Sequence, residues 1–225
     1  MHWLRRHRER NPLTLATARA YERGGAPRWP AKELVALVKR AARELFVDVD
    51  NDLLGCGVFG CAVPVKGRPL VLKVSDSGRE LRLVQSVLYL SPREARGFVR
   101  IEREPVMLGP DPNRYASDFD LFANRTFAYV RERVEPMGHV HWPSFLLDAH
   151  NAAEDGRVDD YLGELDLFTE PYIEIAATMR FLYEKEDTLV RDALPTNMGW
   201  RTRGSKRTLV LMDADAYAPL EDYED

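Results

Sequence analysis

Residues 54–74 constrain the fold more than any other stretch of the chain. Gly55, Gly57 and Gly60 fall within six residues. The chain then runs on as two β-rich segments, broken at a Lys66-Gly67 turn. A dinucleotide-binding βαβ unit needs a helix to start inside such a glycine motif, and the flanks here are β-rich and carry Pro64 instead. A Walker A loop needs Gly-Lys-Ser/Thr at its end, which is missing. A third reading is a glycine-rich hairpin closing over nucleotide phosphates, where glycine lets backbone N–H groups approach the phosphate oxygens. A tight turn that is merely rich in glycine stays open as the plain alternative.

Val71-Leu72-Lys73-Val74 places a lone lysine in an apolar strand just after the hairpin. Such a lysine is costly unless it is paired or serves a ligand. Glu80 stands seven residues on, in a segment whose spacing predicts a helix over 79–90. A Lys–Glu pair would hold the ammonium toward two phosphates. Glu94 is a rival partner, and an exposed helix-start carboxylate is the bland account of Glu80. Near the C-terminus, Asp192 and Asn197 lie five apart in a loop, and Asp213 ends an apolar strand. Two carboxylates and an amide oxygen are hard ligands suited to Mg²⁺, with a base among them.

In order and spacing this set resembles the protein-kinase signature, from about Leu54 to Asp213. The resemblance implies that Gly55, Gly57, Phe59 and Gly60 bind the nucleotide and that Lys73, held by Glu80, grips its phosphates. It implies Asp192 as the base that accepts the proton of the attacking hydroxyl. Asn197 and Asp213 would hold Mg²⁺. Residues 129–136 resemble the hinge between two lobes, where the backbone from Glu132 to Val134 would bind adenine. The implied cofactors are ATP and Mg²⁺.

The sequence departs from that family at Val190, where a histidine is usual, and at Asp213-Ala214-Asp215, where Asp-Phe-Gly is usual. Losing both members of a packed pair suggests a re-packed lobe. Asp215 could share the metal if the strand is locally bent. Arg191 has no activation loop to meet, and twelve residues after Asp213 leave no room for the helices that seat peptides. The resemblance is to a compact, reduced kinase-like protein.

The expected fold class is α+β: a protein-kinase-like two-lobe fold. It has a small antiparallel β N-lobe with one helix and a reduced, mainly helical C-lobe. Residues 1–46 form a basic arm and a helix, 47–136 the N-lobe and hinge, and 137–225 the C-lobe. Within the first segment, Leu34, Leu37, Val38, Ala41 and Leu45 recur at helical spacing. Strands are expected at 46–54, 98–102, 126–134 and 208–213, and 108–118 reads as a loop. A helix opens near Pro171, with Tyr172, Ile175, Ala176, Met179 and Tyr183 on one face. Residues 137–168 give a weak mixture of helix and loop.

Residues 1–50 carry a charge of +5 and the remainder −9, out of a net −4. A solvated or self-docking arm accounts for this more simply than a nucleic-acid contact. Two cysteines in 225 residues exclude a disulfide scaffold and suggest a reducing, cytoplasmic setting. Cys56 and Cys61, flanking the glycine loop, read more simply as small residues in a tight hairpin than as a redox pair. His139, His141 and His150 lack a convincing fourth ligand for zinc. No apolar run approaches the ~20 residues of a bilayer span, so no membrane partner is expected.

The function these readings favour is γ-phosphoryl transfer from ATP to a hydroxyl, with a protein Ser/Thr as acceptor. A small-molecule acceptor, as in antibiotic kinases, is the rival. An acidic C-lobe, with Asp or Glu at 154, 155, 159, 160, 164 and 166, would favour a basic acceptor. A pseudokinase that binds a partner is the competing class. Retention of Lys73, Asp192, Asn197 and Asp213 speaks against it.

Overall fold

Helix α1 (Ala31–Glu44) follows from the apolar spacing of its residues. Leu34, Val38 and Ala41 recur on one stripe and are fully buried, with Leu45 just beyond. They pack with Trp29 against the inner face of a sheet, through Val63, Leu72, Val74 and Val130. The computed structural model describes residues 29, 31–50, 53–56, 60–110, 125–137 and 143–217. The chain divides into two units: 1–78 with 102–133, and 79–101 with 134–225.

The first unit is a five-stranded antiparallel sheet with α1 on one face. Its strands are β1 (Gly55–Cys56), β2 (Gly60–Pro64), β3 (Leu70–Ser75), β4 (Val106–Pro110) and β5 (Arg125–Glu132), in the order β1-β2-β3-β5-β4. Strand β3 is central and buried along its whole length. Side chains alternate across a strand, so Leu72 and Val74 face α1 while Val71, Lys73 and Ser75 face the other way. The sequence spacing predicts a strand at 98–102 and a loop from 108. Instead β4 runs to Pro110, with a bulge between Met107 and Gly109. Gly109 takes φ +106 there, and Arg40 Nη1 donates to the carbonyl of the bulged Leu108 at 2.7 Å. Of the expected strand at 46–54, the described residues show a Val49–Val65 bridge, and the short β1 begins just after it at Gly55.

The second unit holds α2 (Gly78–Tyr89), α3 (Ser144–Glu154), α4 (Val158–Asp166) and α5 (Ile173–Glu186). It also carries a three-stranded sheet, β6 (Glu135–Pro136), β8 (Met198–Arg203) and β9 (Lys206–Leu211), ordered β6-β8-β9. A further pair joins β7 (Leu189–Arg191) to β10 (Asp215–Tyr217). Among the described residues, the helix of the first unit is α1. Leu83 and Val87 of α2 belong to the core of the second unit, with Leu146, Ile175, Met179 and Leu211.

The chain at 98–102 makes a parallel bridge from Phe98 to Leu211 rather than a ladder. It is fixed by neighbours. Thr178 Oγ1 accepts from the Gly97 N–H at 2.8 Å and donates to the Glu94 carbonyl at 2.7 Å. Arg201 donates to the carbonyls of Arg96 and Phe98. A Cβ on Gly97 would lie 2.0 Å from the Glu174 carbonyl oxygen, so only glycine fits. The α+β class holds, and no helix among the described residues is long and apolar enough to cross a membrane.

Candidate functional site

The glycine hairpin is β1 and β2, with Gly55 opposite Ala62 and Cys56 opposite Cys61. That register sets the two cysteine Cα atoms 4.1 Å apart, close enough for their Sγ atoms to bond. The expectation of two free cysteines is corrected: Cys56 and Cys61 form a disulfide across the hairpin. Gly57 and Phe59, at the turn it encloses, lie outside the described residues.

Gly60 is needed for close approach. A Cβ there would sit 2.6 Å from the Val74 carbonyl oxygen and 3.3 Å from Lys73 Cε. Gly55 has open space around the same position. Lys73 is only 6% exposed, set between Ala62 and Tyr129 in register. Burial of an ammonium on this scale demands a function or a partner.

Glu80 is buried on α2, in the second unit. Its rival Glu94 is committed elsewhere. Lys185 Nζ lies 2.6 Å from Glu94 Oε1, and the Ser91 N–H donates to Oε2. These hydrogen bonds, Lys185 first and Ser91 next, hold the Glu94 carboxyl down at about 2. In the stretch expected to act as a hinge, Glu132 closes β5 and the units change between Arg133 and Val134. Val134 packs on the second core, beside Gly199.

The expected catalytic loop is more ordered than a loop. It begins in β7, passes Asp192 at φ +61, and turns through a 3₁₀ segment (Pro195–Asn197) into β8. A left-handed backbone is costly for a residue with a Cβ, so its neighbours must fix it. Asn197 Nδ2 and the Leu194 N–H both donate to the Asp192 carbonyl, at 2.9 and 2.7 Å. The Asp192 N–H donates to His150 Nδ1 at 3.2 Å. The preceding Val190 N–H donates to the buried Tyr161 hydroxyl at 3.1 Å, and burial pushes that phenol up. The Asp192 side chain is 31% exposed.

Asp213 is joined to the same loop. Its N–H and that of Met212 both donate to the Asn197 carbonyl. β9 ends at Leu211, so Asp213 sits in a bend rather than ending a strand. Asp215 starts β10, its Cα paired with that of Arg191. Asp192, Asn197, Asp213 and the backbone of Asp215 are thus drawn into one small region.

Asn197 and Asp213 carry hard oxygen donors, the kind that Mg²⁺ takes. Because the Asn197 NH₂ is engaged by Asp192, its oxygen is the atom left for a cation. Mg²⁺ is met by one or two carboxylates and substrate phosphates rather than by a protein cage. No group of three or more His, Cys, Asp or Glu among the described residues is arranged to hold a metal by itself.

The acidic residues between 154 and 166 are largely paired. Glu154 pairs with Arg191 at 2.8 Å, Arg157 with Asp155 and Asp160, and Asp166 with Arg180. Asp159, Asp160 and Glu164 line a groove with Asp148 and Ala152 of α3. At about 100° per residue, Asp148 and Ala152 point away from the His150 flank. That groove does not adjoin Asp192.

His150 is the residue that motif reasoning missed. In the sequence it stands only as a zinc candidate beside His139 and His141, which lie outside the described residues. Arg191 pairs with Glu154. No protein-family model matches the chain, and none of the curated proteins matches it either.

Proposed function

We propose that the protein is an ATP- and Mg²⁺-dependent phosphotransferase of the protein-kinase-like kind, passing the γ-phosphoryl group to a hydroxyl, foremost a protein Ser/Thr. One observation carries the reading: Asp192 is held in a left-handed backbone by side chains on both sides of it, with its carboxylate still partly open to solvent. Neighbours that fix the Asp192 backbone on both sides are what a pre-positioned base would need.

Each residue then has a role. Asp192 accepts the acceptor hydroxyl's proton as its oxygen bonds to phosphorus and the bond to the ADP oxygen breaks. Lys73 meets the phosphates, and the glycine hairpin covers them with backbone N–H groups. Asn197 and Asp213, with Asp215 as a further carboxylate, are the residues that would hold Mg²⁺. The ion would offset the phosphate charge. Catalysis is mainly positioning and charge stabilisation, because phosphoryl transfer asks little covalent help.

The test is incubation of the purified chain with γ-labelled ATP and Mg²⁺, alone and with a lysate, beside Asp192→Ala. Label on a protein Ser/Thr that disappears in the variant supports the reading. Label on a small molecule changes the acceptor class. ATP binding without transfer moves the protein to a nucleotide-binding scaffold.

A further inference from the structure

His150 reaches Asp192 across 42 residues of sequence, from a helix onto a loop. Its side chain is 12% exposed. One imidazole nitrogen, Nδ1, faces two different groups of Asp192. The main-chain N–H lies at 3.2 Å and carboxylate oxygen Oδ1 at 3.3 Å. The first is a donor and the second an acceptor, so Nδ1 can satisfy only one of them at a time.

The other groups around this imidazole are charged and already placed. Nε2 faces Glu154 Oε2 at 3.7 Å, one turn along α3. Glu154 Oε1 pairs with Arg191 Nη1 at 2.8 Å, and Arg191 Nε lies 3.9 Å from Asp192 Oδ1. Tyr161, from α4, is engaged by the Val190 N–H. The carboxylate beyond Nε2 favours a proton on that nitrogen and leaves Nδ1 bare to accept from Asp192.

We propose that His150 is the positioning residue for Asp192, and that proton uptake at Nδ1 takes Asp192 out of use. This rests on the reading of Asp192 as the base. With Nδ1 bare, the imidazole holds the left-handed Asp192 backbone and leaves the carboxylate free to receive a proton. With Nδ1 protonated by solvent, the Asp192 N–H loses its acceptor and the imidazolium donates to Oδ1 instead. The charge of the imidazolium beside Oδ1 then lowers the basicity of the whole carboxylate, Oδ2 included. No other bond changes. The chain thereby places a histidine beside its base from α3 rather than at position 190.

Two measurements decide it, both on the full chain. The first is ¹H–¹⁵N spectroscopy of the imidazoles, with His150 assigned by its absence in His150→Asn. The expected form near neutral pH carries the proton on Nε2, and the Asp192 amide shifts on acidification together with Nδ1. A proton on Nδ1 at neutral pH, or an Asp192 amide that does not respond, overturns the proposal whether or not the protein is a kinase.

The second is label transfer from ATP by His150→Ala, His150→Asn and His150→Gln across pH. Asparagine sets its oxygen where Nδ1 was and cannot take up a proton there, whereas glutamine sets it one bond further out. His150→Ala should lose about tenfold or more, as misplaced catalytic groups do. His150→Asn should recover most of that loss and lack the wild type's fall in activity at acid pH. Glutamine rescuing as well as asparagine, or alanine transferring at the wild-type rate, overturns the proposal. If His150→Ala does not fold, the asparagine and glutamine pair still decides. A wild type that transfers no label fails the phosphotransferase reading and the control of transfer together, while the spectra still decide the hydrogen bond.

Discussion

Asn197 donates through Nδ2 to the carbonyl of Asp192 at 2.9 Å, closing a six-residue turn that begins at the candidate base. Asn197→Ala leaves that carbonyl with the Leu194 N–H alone. The expected stability loss is about 1 kcal/mol, the ordinary worth of one hydrogen bond. The Mg²⁺ concentration for half-maximal transfer should rise further than that loss accounts for, because the amide oxygen goes too. Urea unfolding beside a Mg²⁺ titration separates the two effects.

Gly60 and Gly55 make opposite predictions within one hairpin. A methyl at Gly60 meets the backbone oxygen of Val74 at 2.6 Å, which can yield only if β2 moves off β3. Gly60→Ala should cost about 1–3 kcal/mol, as overpacking does. It should also disturb Lys73 and weaken nucleotide binding. Gly55→Ala meets nothing within 4 Å and should unfold at the wild-type midpoint.

The Cys56–Cys61 disulfide closes a ring of six residues. On the loop-entropy account, a ring of that size constrains the unfolded chain by about 2 kcal/mol. A dithiol should lower the urea midpoint accordingly. The paired Cys56→Ser and Cys61→Ser variant should match the reduced wild type and no longer respond to the dithiol.

Glu94 sets a pH window. Its carboxyl is lowered from 4.5 to about 2 in the folded chain by Lys185 and Ser91. The unfolded state therefore binds the proton first. The Glu94 contribution is complete above about pH 4.5 and is lost as pH falls through about 2. The gap in Tm between wild type and Glu94→Gln should be open at pH 7 and nearly closed at pH 2.

The two-period pattern of residues 54–74 made the hairpin, the strand and the buried Lys73 legible, because a β-strand marks its faces in alternation. The Asp192–Asn197 spacing was legible for a local reason: six residues are one tight turn. His150 was not. Its contact depends on α3 lying against β7, and the buried positions of α3 are Leu146, Ala149, Ala152 and Ala153. Three alanines give a faint apolar stripe, so the helix that carries the histidine read as a weak mixture. The disulfide depended on strand register, which puts Cys56 directly opposite Cys61. β4 was hidden by Gly109 and Pro110, which punctuate loops elsewhere but here mark a bulge and an edge.

The docking of α1 has a practical side. Arg40 and Arg103 bind carbonyls at Leu108 and Leu45, tying the helix to the sheet and the following chain to the helix end. Cutting the chain just ahead of the glycine hairpin would keep the hairpin and Lys73 in the remaining sequence. It would bare Val63, Leu72, Val74 and Val130, a greasy sheet surface that water does not tolerate. The shortened protein would be recovered as precipitate, and its silence in an assay would say nothing about chemistry.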